Sequence, residues 1–401
     1  MDLLENAVQP YAWGSRTAIA ALRGAPVPSP GPEAELWMGA HPGAPSHLVR
    51  GGVRLSLAEA IARAPVVELG QRALAEHGAR LPFLLKVLAA ERPLSLQAHP
   101  DARQAREGFD REEAAGIPRD APQRNYRDPW PKPELICALG PFDALCGFRP
   151  AAEALALFEA LRAPELAPAV ERLRGRPGSD GLREAFTWLA TLPAAAREPL
   201  AAATAAGAAR AASADGPGAD ALSWTARLGA TYPGDPGVAA ALLLRLVHLE
   251  AGEALYLPAG SLHAYLHGVG VEIMASSDNV LRGGLTPKHV DVPELLRVLC
   301  FGAEPVPLVL ARESPGGELV YPTPARQFEL SRIDLSARPF EAAVRGPEIL
   351  LCTEGAAQAE GAGQRLALPR GASAFVPAAT GRYALEGEGV VFRAALPREP
   401  P

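Results

Sequence analysis

Cysteine is scarce in this chain of 401 residues: Cys137, Cys146, Cys300 and Cys352 are all there are. None forms a C-x-x-C pair, so neither a zinc ribbon nor a dithiol redox site is indicated, and so few thiols do not make a disulfide framework. Aromatic residues amount to 6%, and aliphatic content is correspondingly high. No long run of one charge sign occurs. The formal net charge of -6 is spread along the length, which argues against a nucleic-acid binder but leaves an anionic small substrate open. No apolar run is long enough to span a membrane. Residues Met1 to Trp13 lack the basic and apolar regions of a signal peptide, so a cytoplasmic location is expected. Neither G-x-x-x-x-G-K-[ST] nor G-x-G-x-x-G is present, so nucleotide phosphates are not indicated.

What is present centres on Leu94-Ser95-Leu96-Gln97-Ala98-His99-Pro100-Asp101. On a strand, successive side chains point to opposite faces. Ser95, Gln97 and His99 then share one face, and Leu94, Leu96 and Ala98 the other. A hydroxyl, an amide and an imidazole in a row each need a partner if buried. A half-exposed edge strand satisfies them with water; a bound cation satisfies the amide oxygen and the imidazole together.

Further along, the chain supplies more polar side chains of the same kind. The apolar run Leu81–Leu88 carries one lysine, Lys86. In Trp130-Pro131-Lys132-Pro133-Glu134, Lys132 and Glu134 are two apart and share a face, while Cys137 points away. After a turn at 250–253, the strand-like run Leu255–Gly268 puts His263, Tyr265 and His267 on one face, and Glu272, Met274 and Ser276 fall on one face of the next strand. The candidate metal donors are therefore Gln97, His99, Glu134 and His263, two nitrogens and two oxygens, a set that suits zinc or a similar first-row ion. Glutamine is a rare zinc ligand; its neutral amide leaves the ion more positive and a stronger Lewis acid. A lone histidine more often packs as a satisfied core or edge residue, which is the alternative for His263; His41 and His47, with no second donor at useful spacing, are read as loop histidines. Arg282 and Lys288 flank the Gly-rich stretch 278–288, which reads as a loop; Arg suits an oxyanion or phosphate, and Lys adds a point charge.

The periodicity predicts a mainly β fold with a helical insert: two cupin-like (jelly-roll) barrels plus an α-helical domain. The expected division is 1–150 together with 235–320 as the catalytic cupin-like domain, 151–234 as the helical insert and 321–401 as a C-terminal barrel without histidine. A loose loop is expected at 205–220, and a helix from Asp291 to Gly302 with Asp291 and Glu294 as a capping box.

At this point the chain resembles the type I mannose-6-phosphate isomerase family. The match runs through Tyr11–Gly14, Glu35–Gly39, Leu81–Val87, Leu94–Asp101, Lys132-Pro133-Glu134, Pro258–Gly268 and the long segment Met274–Lys288. It extends from the N-terminus to the C-terminal barrel, with the insert the loosest part. The resemblance implies a zinc enzyme, one ion per chain, that interconverts mannose 6-phosphate and fructose 6-phosphate. It places the zinc ligands on Gln97, His99, Glu134 and His263 and the catalytic arginine on Arg282, with Ser95, Lys132 and Lys288 lining the cleft. Lys288, with Ser95 and Lys86, is expected to hold the phosphate; Glu272 is the first candidate for the base and Lys132 its rival. A monomer is expected, with a sugar phosphate as its only partner. Two departures stand out. Pro131 replaces a histidine of many relatives, which removes a proton-transfer group, and Leu262 replaces a common proline. The alternatives are another metal-dependent cupin enzyme, such as an Fe(II) oxygenase, and a non-catalytic sugar-phosphate-binding protein on the same fold.

Overall fold

A computed structural model describes residues 1–213, 216, 218–305, 308–336 and 338–398. The described chain builds one antiparallel sheet of 11 strands, one of 9 strands and a two-stranded hairpin. The larger sheet is organised around the long strand His263–Ala275. Its first residues pair with Leu96–Ala98 and Phe142–Phe148, and its later ones with Phe83–Ala90 and Glu134–Ala138. That one strand therefore touches every segment carrying a predicted metal donor. Its glycines permit the close packing: a Cβ at Gly270 would lie 2.9 Å from the Cys137 carbonyl oxygen.

Helices fill 151–240, from Ala151–Ala160 to Gly237–Ala240. Their apolar faces, among them Phe158, Leu182, Phe186 and Leu228, form one core with Leu96, Ala98, Leu262 and Leu281. The apolar side of the Leu96–Ala98 strand is thus held by the helical insert, and its polar side is turned the other way. Leu262 is fully buried in this core, so the departure from proline adds apolar packing beside His263.

Strands of the nine-stranded sheet include Glu329–Asp334, Glu348–Gly361, Ser373–Val376 and Arg382–Ala395. Asp2 and Leu3 also belong to it, opposite Phe375 and Ala374. The two sheets share a core: Leu36, Phe83, Val87 and Ile273 pack with Phe328, Leu330, Ile349 and Phe392.

Three expectations change. The Gly-rich stretch contains a strand, Leu281–Gly284, paired with Leu96–Ala98. Its glycines suit close approach rather than a free loop: a Cβ on Gly283 would sit 2.9 Å from Leu262 Cδ1, and Gly284 has φ +129° with Gly237 Cα 3.0 Å from where a Cβ would be. The stretch expected as a loop at 205–220 is mostly helix, because Ala194–Ala212 is continuous; alanine's high helix propensity outweighs the single Gly207. Residues 214, 215 and 217 lie outside the described residues. The helix expected to end at Gly302 spans Val292–Val298; Asp291 accepts from the Glu294 amide, but only this half of the expected capping box forms, because the Glu294 carboxylate accepts from Arg111 and Tyr126.

Candidate metal centre

Cross-strand register assembles the site in two rows. In the first, His263 lies opposite Gln97, and Gln97 opposite Arg282. Directly opposed residues place their side chains on one face, about 5 Å apart, so an imidazole, an amide and a guanidinium stand side by side. In the second, Trp37 lies opposite Lys86, and Lys86 opposite Glu272. Glu134 starts its own strand opposite Met274.

His99, Glu134 and His263 converge, with one donor atom from each within 4.8 Å of the others. His99 Nε2 is 3.2 Å and His263 Nε2 3.5 Å from the same oxygen, Glu134 Oε2. Ligand bonds of about 2.0–2.1 Å arranged tetrahedrally would space the donors by about 3.3 Å, which matches both separations. Each imidazole is anchored through its other nitrogen. His99 Nδ1 is 2.8 Å from the Asn279 carbonyl oxygen, and His263 Nδ1 is 3.0 Å from that of Ser261. Both carbonyls can only accept, so Nδ1 carries the proton and Nε2 presents a lone pair to the centre. His99 Nε2 is buried and makes no hydrogen bond, a costly arrangement unless something else binds it. Burial lowers the His99 pKa to about 4, keeping the ring neutral, as a metal ligand must be. Burial alone would raise the Glu134 carboxyl; His99 and Lys132 together hold it well below the usual range. The residues present therefore fit a first-row metal ion. Gln97 lies beside this trio on the cleft wall, where its amide nitrogen donates to Ser95 Oγ at 3.2 Å.

A cavity of about 560 Å³ lies next to the trio, lined by Ser95, Gln97, Lys86, Lys132, Arg282 and Lys288 among others. Its cations fall into two groups. Lys132 Nζ is 3.1 Å from Glu134 Oε1. Lys86 Nζ is 3.0 Å from Glu272 Oε2 and 3.5 Å from Glu35 Oε1. Burial works against the Lys86 charge, but Glu272, Glu35 and Glu134 more than offset it and raise its pKa. Glu272 is raised by burial and by Glu134 and Glu35, against the pull of Lys86; three carboxylates around one ammonium leave one of them under-compensated. Its other oxygen accepts from the Tyr265 hydroxyl at 2.9 Å, and it lies behind Lys86 instead of on the cleft wall. In the second group, Lys288 is lowered by burial and then by Arg282 and Arg127, and Arg282 by burial and then by Arg127. The charges acting on Arg282 and Lys288 are positive, while Arg127 also faces Asp278 on the same cleft, so cations predominate at this end.

Several site residues escaped the sequence reading. Arg127 sits in an irregular segment with no periodicity to place it, yet it lines the cleft. His41, expected as a loop residue, is buried, lines the same cleft and bonds Asp278 at 3.1 Å. Its partner is 237 positions away, so nearby spacing offered no signal. Glu35 stood within a quoted motif but without an apparent partner. His267 is exposed, because a bulge between Tyr265 and His267 interrupts the alternation that grouped it with His263.

Fold and site together define a metal-binding cupin-type protein whose cleft is built for a small anion. Residues 1–151 match the family described as phosphomannose isomerase type I, catalytic domain, and residues 318–396 match mannose-6-phosphate isomerase, cupin domain. Mannose-6-phosphate isomerase of Escherichia coli is 40% identical over 395 residues, covering 98% of this chain and 99% of its own. That of Emericella nidulans is 32% identical over 406 residues, covering 88% and 85%. The solved structure of mannose 6-phosphate isomerase from Salmonella typhimurium bound to fructose 6-phosphate and zinc has a TM-score of 0.90 at 38% identity, covering 99% of both chains. A zinc-bound holo mannose 6-phosphate isomerase gives 0.91 at 38%, covering 98% of this chain and 99% of that one. The chain belongs to the type I phosphomannose isomerase family.

Proposed function

We propose that the chain interconverts mannose 6-phosphate and fructose 6-phosphate with one zinc ion held by His99, Glu134, His263 and Gln97. The observation that carries this reading is His99 Nε2, buried without a hydrogen bond and 3.2 Å from Glu134 Oε2, in a trio whose neighbours Gln97 and Lys132 line a cleft that also holds Arg127, Arg282 and Lys288. When bound, zinc supplies Lewis-acid polarisation of the sugar oxygens.

The protein's own residues supply the rest. Lys288 and Arg127 attract the phosphate, and Ser95 adds a hydroxyl on the same wall. Aldose–ketose isomerisation moves a proton between C1 and C2 through an enediolate, so a cation is needed where the oxyanion grows. Arg282, beside Gln97 across the sheet, supplies it. Lys132 lines the cleft next to Glu134 and, as the neutral amine, takes the proton from one carbon and returns it to the other. Glu272 reaches the cleft only through Lys86, which keeps Lys86 charged and leaves that ammonium to the sugar hydroxyls or phosphate. Pro131 offers no proton, so no transfer is assigned to that position.

We further propose the three-part division at 1–150 with 235–320, 151–234 and 321–401, a monomeric state and a cytoplasmic location. Among the described residues no helix is long and apolar enough to cross a membrane.

The test pairs a coupled assay on mannose 6-phosphate with elemental analysis of the purified chain. Zinc near one per chain, activity lost on chelation and regained on adding zinc are expected. Full activity after complete metal removal, or iron in place of zinc with no sugar-phosphate turnover, overturns the reading.

A further inference from the structure

Asn279 is fully buried between two strands, on no regular element of its own. Its amide oxygen accepts from the Arg127 amide at 2.8 Å and the Asp128 amide at 3.2 Å. Its amide nitrogen donates to the Asp128 carbonyl at 2.7 Å and the Trp130 carbonyl at 2.9 Å. No other side chain of this size offers an acceptor and two donors at one planar tip. Asp would set a carboxylate oxygen against two carbonyls, and Leu would strand four backbone groups. Ser277 reinforces the arrangement: its Oγ donates to Asp128 Oδ1 at 2.8 Å and accepts from the Asn279 amide at 3.3 Å.

The main-chain carbonyl of this same residue orients His99, at 2.8 Å from Nδ1. The segment it grips, 127–130, starts at a cation of the cleft and runs directly into Lys132 and Glu134. We propose that Asn279 is a positioning residue. It clasps the Arg127–Trp130 segment to the peptide that aims His99, and so sets the metal ligands His99 and Glu134 against the cleft cations. If the 279 peptide turns, the His99 bond and the loop bonds are lost together. The inference rests on the reading of this centre as a metal site in a sugar-phosphate cleft.

Asn279→Ala in the full chain tests it. Zinc affinity of the metal-free protein is measured by competition with a chromophoric chelator, and KM for mannose 6-phosphate is measured on the zinc-saturated enzyme. Zinc affinity is expected to fall about 10–100-fold, the usual cost of losing an outer-sphere partner. KM is expected to rise several-fold as Arg127 and Lys132 loosen. A lowered Tm with wild-type zinc affinity and KM makes Asn279 a loop staple only and overturns the proposal. Weakened zinc binding with unchanged KM, or the reverse, refutes the coupling. If Asn279→Ala does not fold, Ser277→Ala removes part of the same clasp. It is expected to move both quantities in the same direction by less, and wild-type values overturn the proposal. The zinc titration contains no sugar. A wild type that binds zinc yet converts no sugar phosphate therefore defeats the functional reading and leaves the metal part of this test standing.

Discussion

Arg282 and Lys288 carry the same charge in the same cleft, yet their neighbours assign them different work. Arg282 is on a strand, directly beside Gln97 and one position further from His263, and is half-buried. A guanidinium held there acts on charge that develops during reaction. Lys288 lies beyond the strand end, is less shielded than Arg282, and faces charge already present on the substrate. Arg282→Ala is therefore expected to lower kcat by about 10²–10³-fold, in line with loss of one preorganised oxyanion donor, with little change in KM. Lys288→Ala should raise KM about tenfold or more and largely preserve kcat. Steady-state kinetics with mannose 6-phosphate separate the two, and an unchanged kcat in the Arg282 variant ends that assignment.

In the strand Leu281–Gly284, Gly284 lets backbone approach backbone and Gly283 leaves room for leucine side chains. A methyl group on Gly283 meets the end of a leucine side chain, which can shift. On Gly284 it meets the Gly237 main chain at 3.0 Å in a backbone conformation that L side chains rarely adopt. Gly284→Ala is expected to cost about 1–3 kcal/mol of stability. It should also displace Arg282, and kcat should fall more than Gly283→Ala makes it fall. Thermal melts and kinetics on the two variants check this; equal, wild-type-like behaviour would show that the strand does not depend on these contacts. The segment also shows how a polar, Gly-rich stretch misleads. Alternation says little when glycine supplies no side chain to alternate, and the partner strand lies nearly two hundred residues earlier.

The two large sheets are not separable by their packing. Phe83, Val87 and Ile273 on the metal-site sheet are covered by Phe328, Ile349 and Phe392 from the other, and the strand Asp2–Leu3 joins the second sheet from the chain's start. Each such side chain contributes about 1.5–3 kcal/mol by burial, against a total of about 5–15 kcal/mol for a native protein. A chain ending at residue 320 is therefore expected to lose its cooperative melt and bind zinc far more weakly than the full chain. Calorimetry and zinc titration measure both, and a truncated chain with a sharp transition and full zinc affinity would contradict the shared core. This gives the C-terminal sheet a part to play without histidine or nucleophile: it supports the wall on which Lys86 and Glu272 stand.

From residue order alone came the mainly β class, the helical insert, and the polar face of Ser95, Gln97 and His99 with Lys132 and Glu134 two apart. These depend on periodicity and near-neighbour spacing, which a linear chain records. The family resemblance added the implied ligand set as named residues, but not how they meet. Only the tertiary structure decided that His99 and His263 share one oxygen of Glu134, that Lys86 and Lys132 are matched by carboxylates, and that Arg282 and Lys288 stand near Arg127 instead. It also decided that Asn279 holds two distant segments. Those facts are distances between side chains far apart in sequence, and burial and charge pairing act through space, so they arise only when the strands are laid side by side.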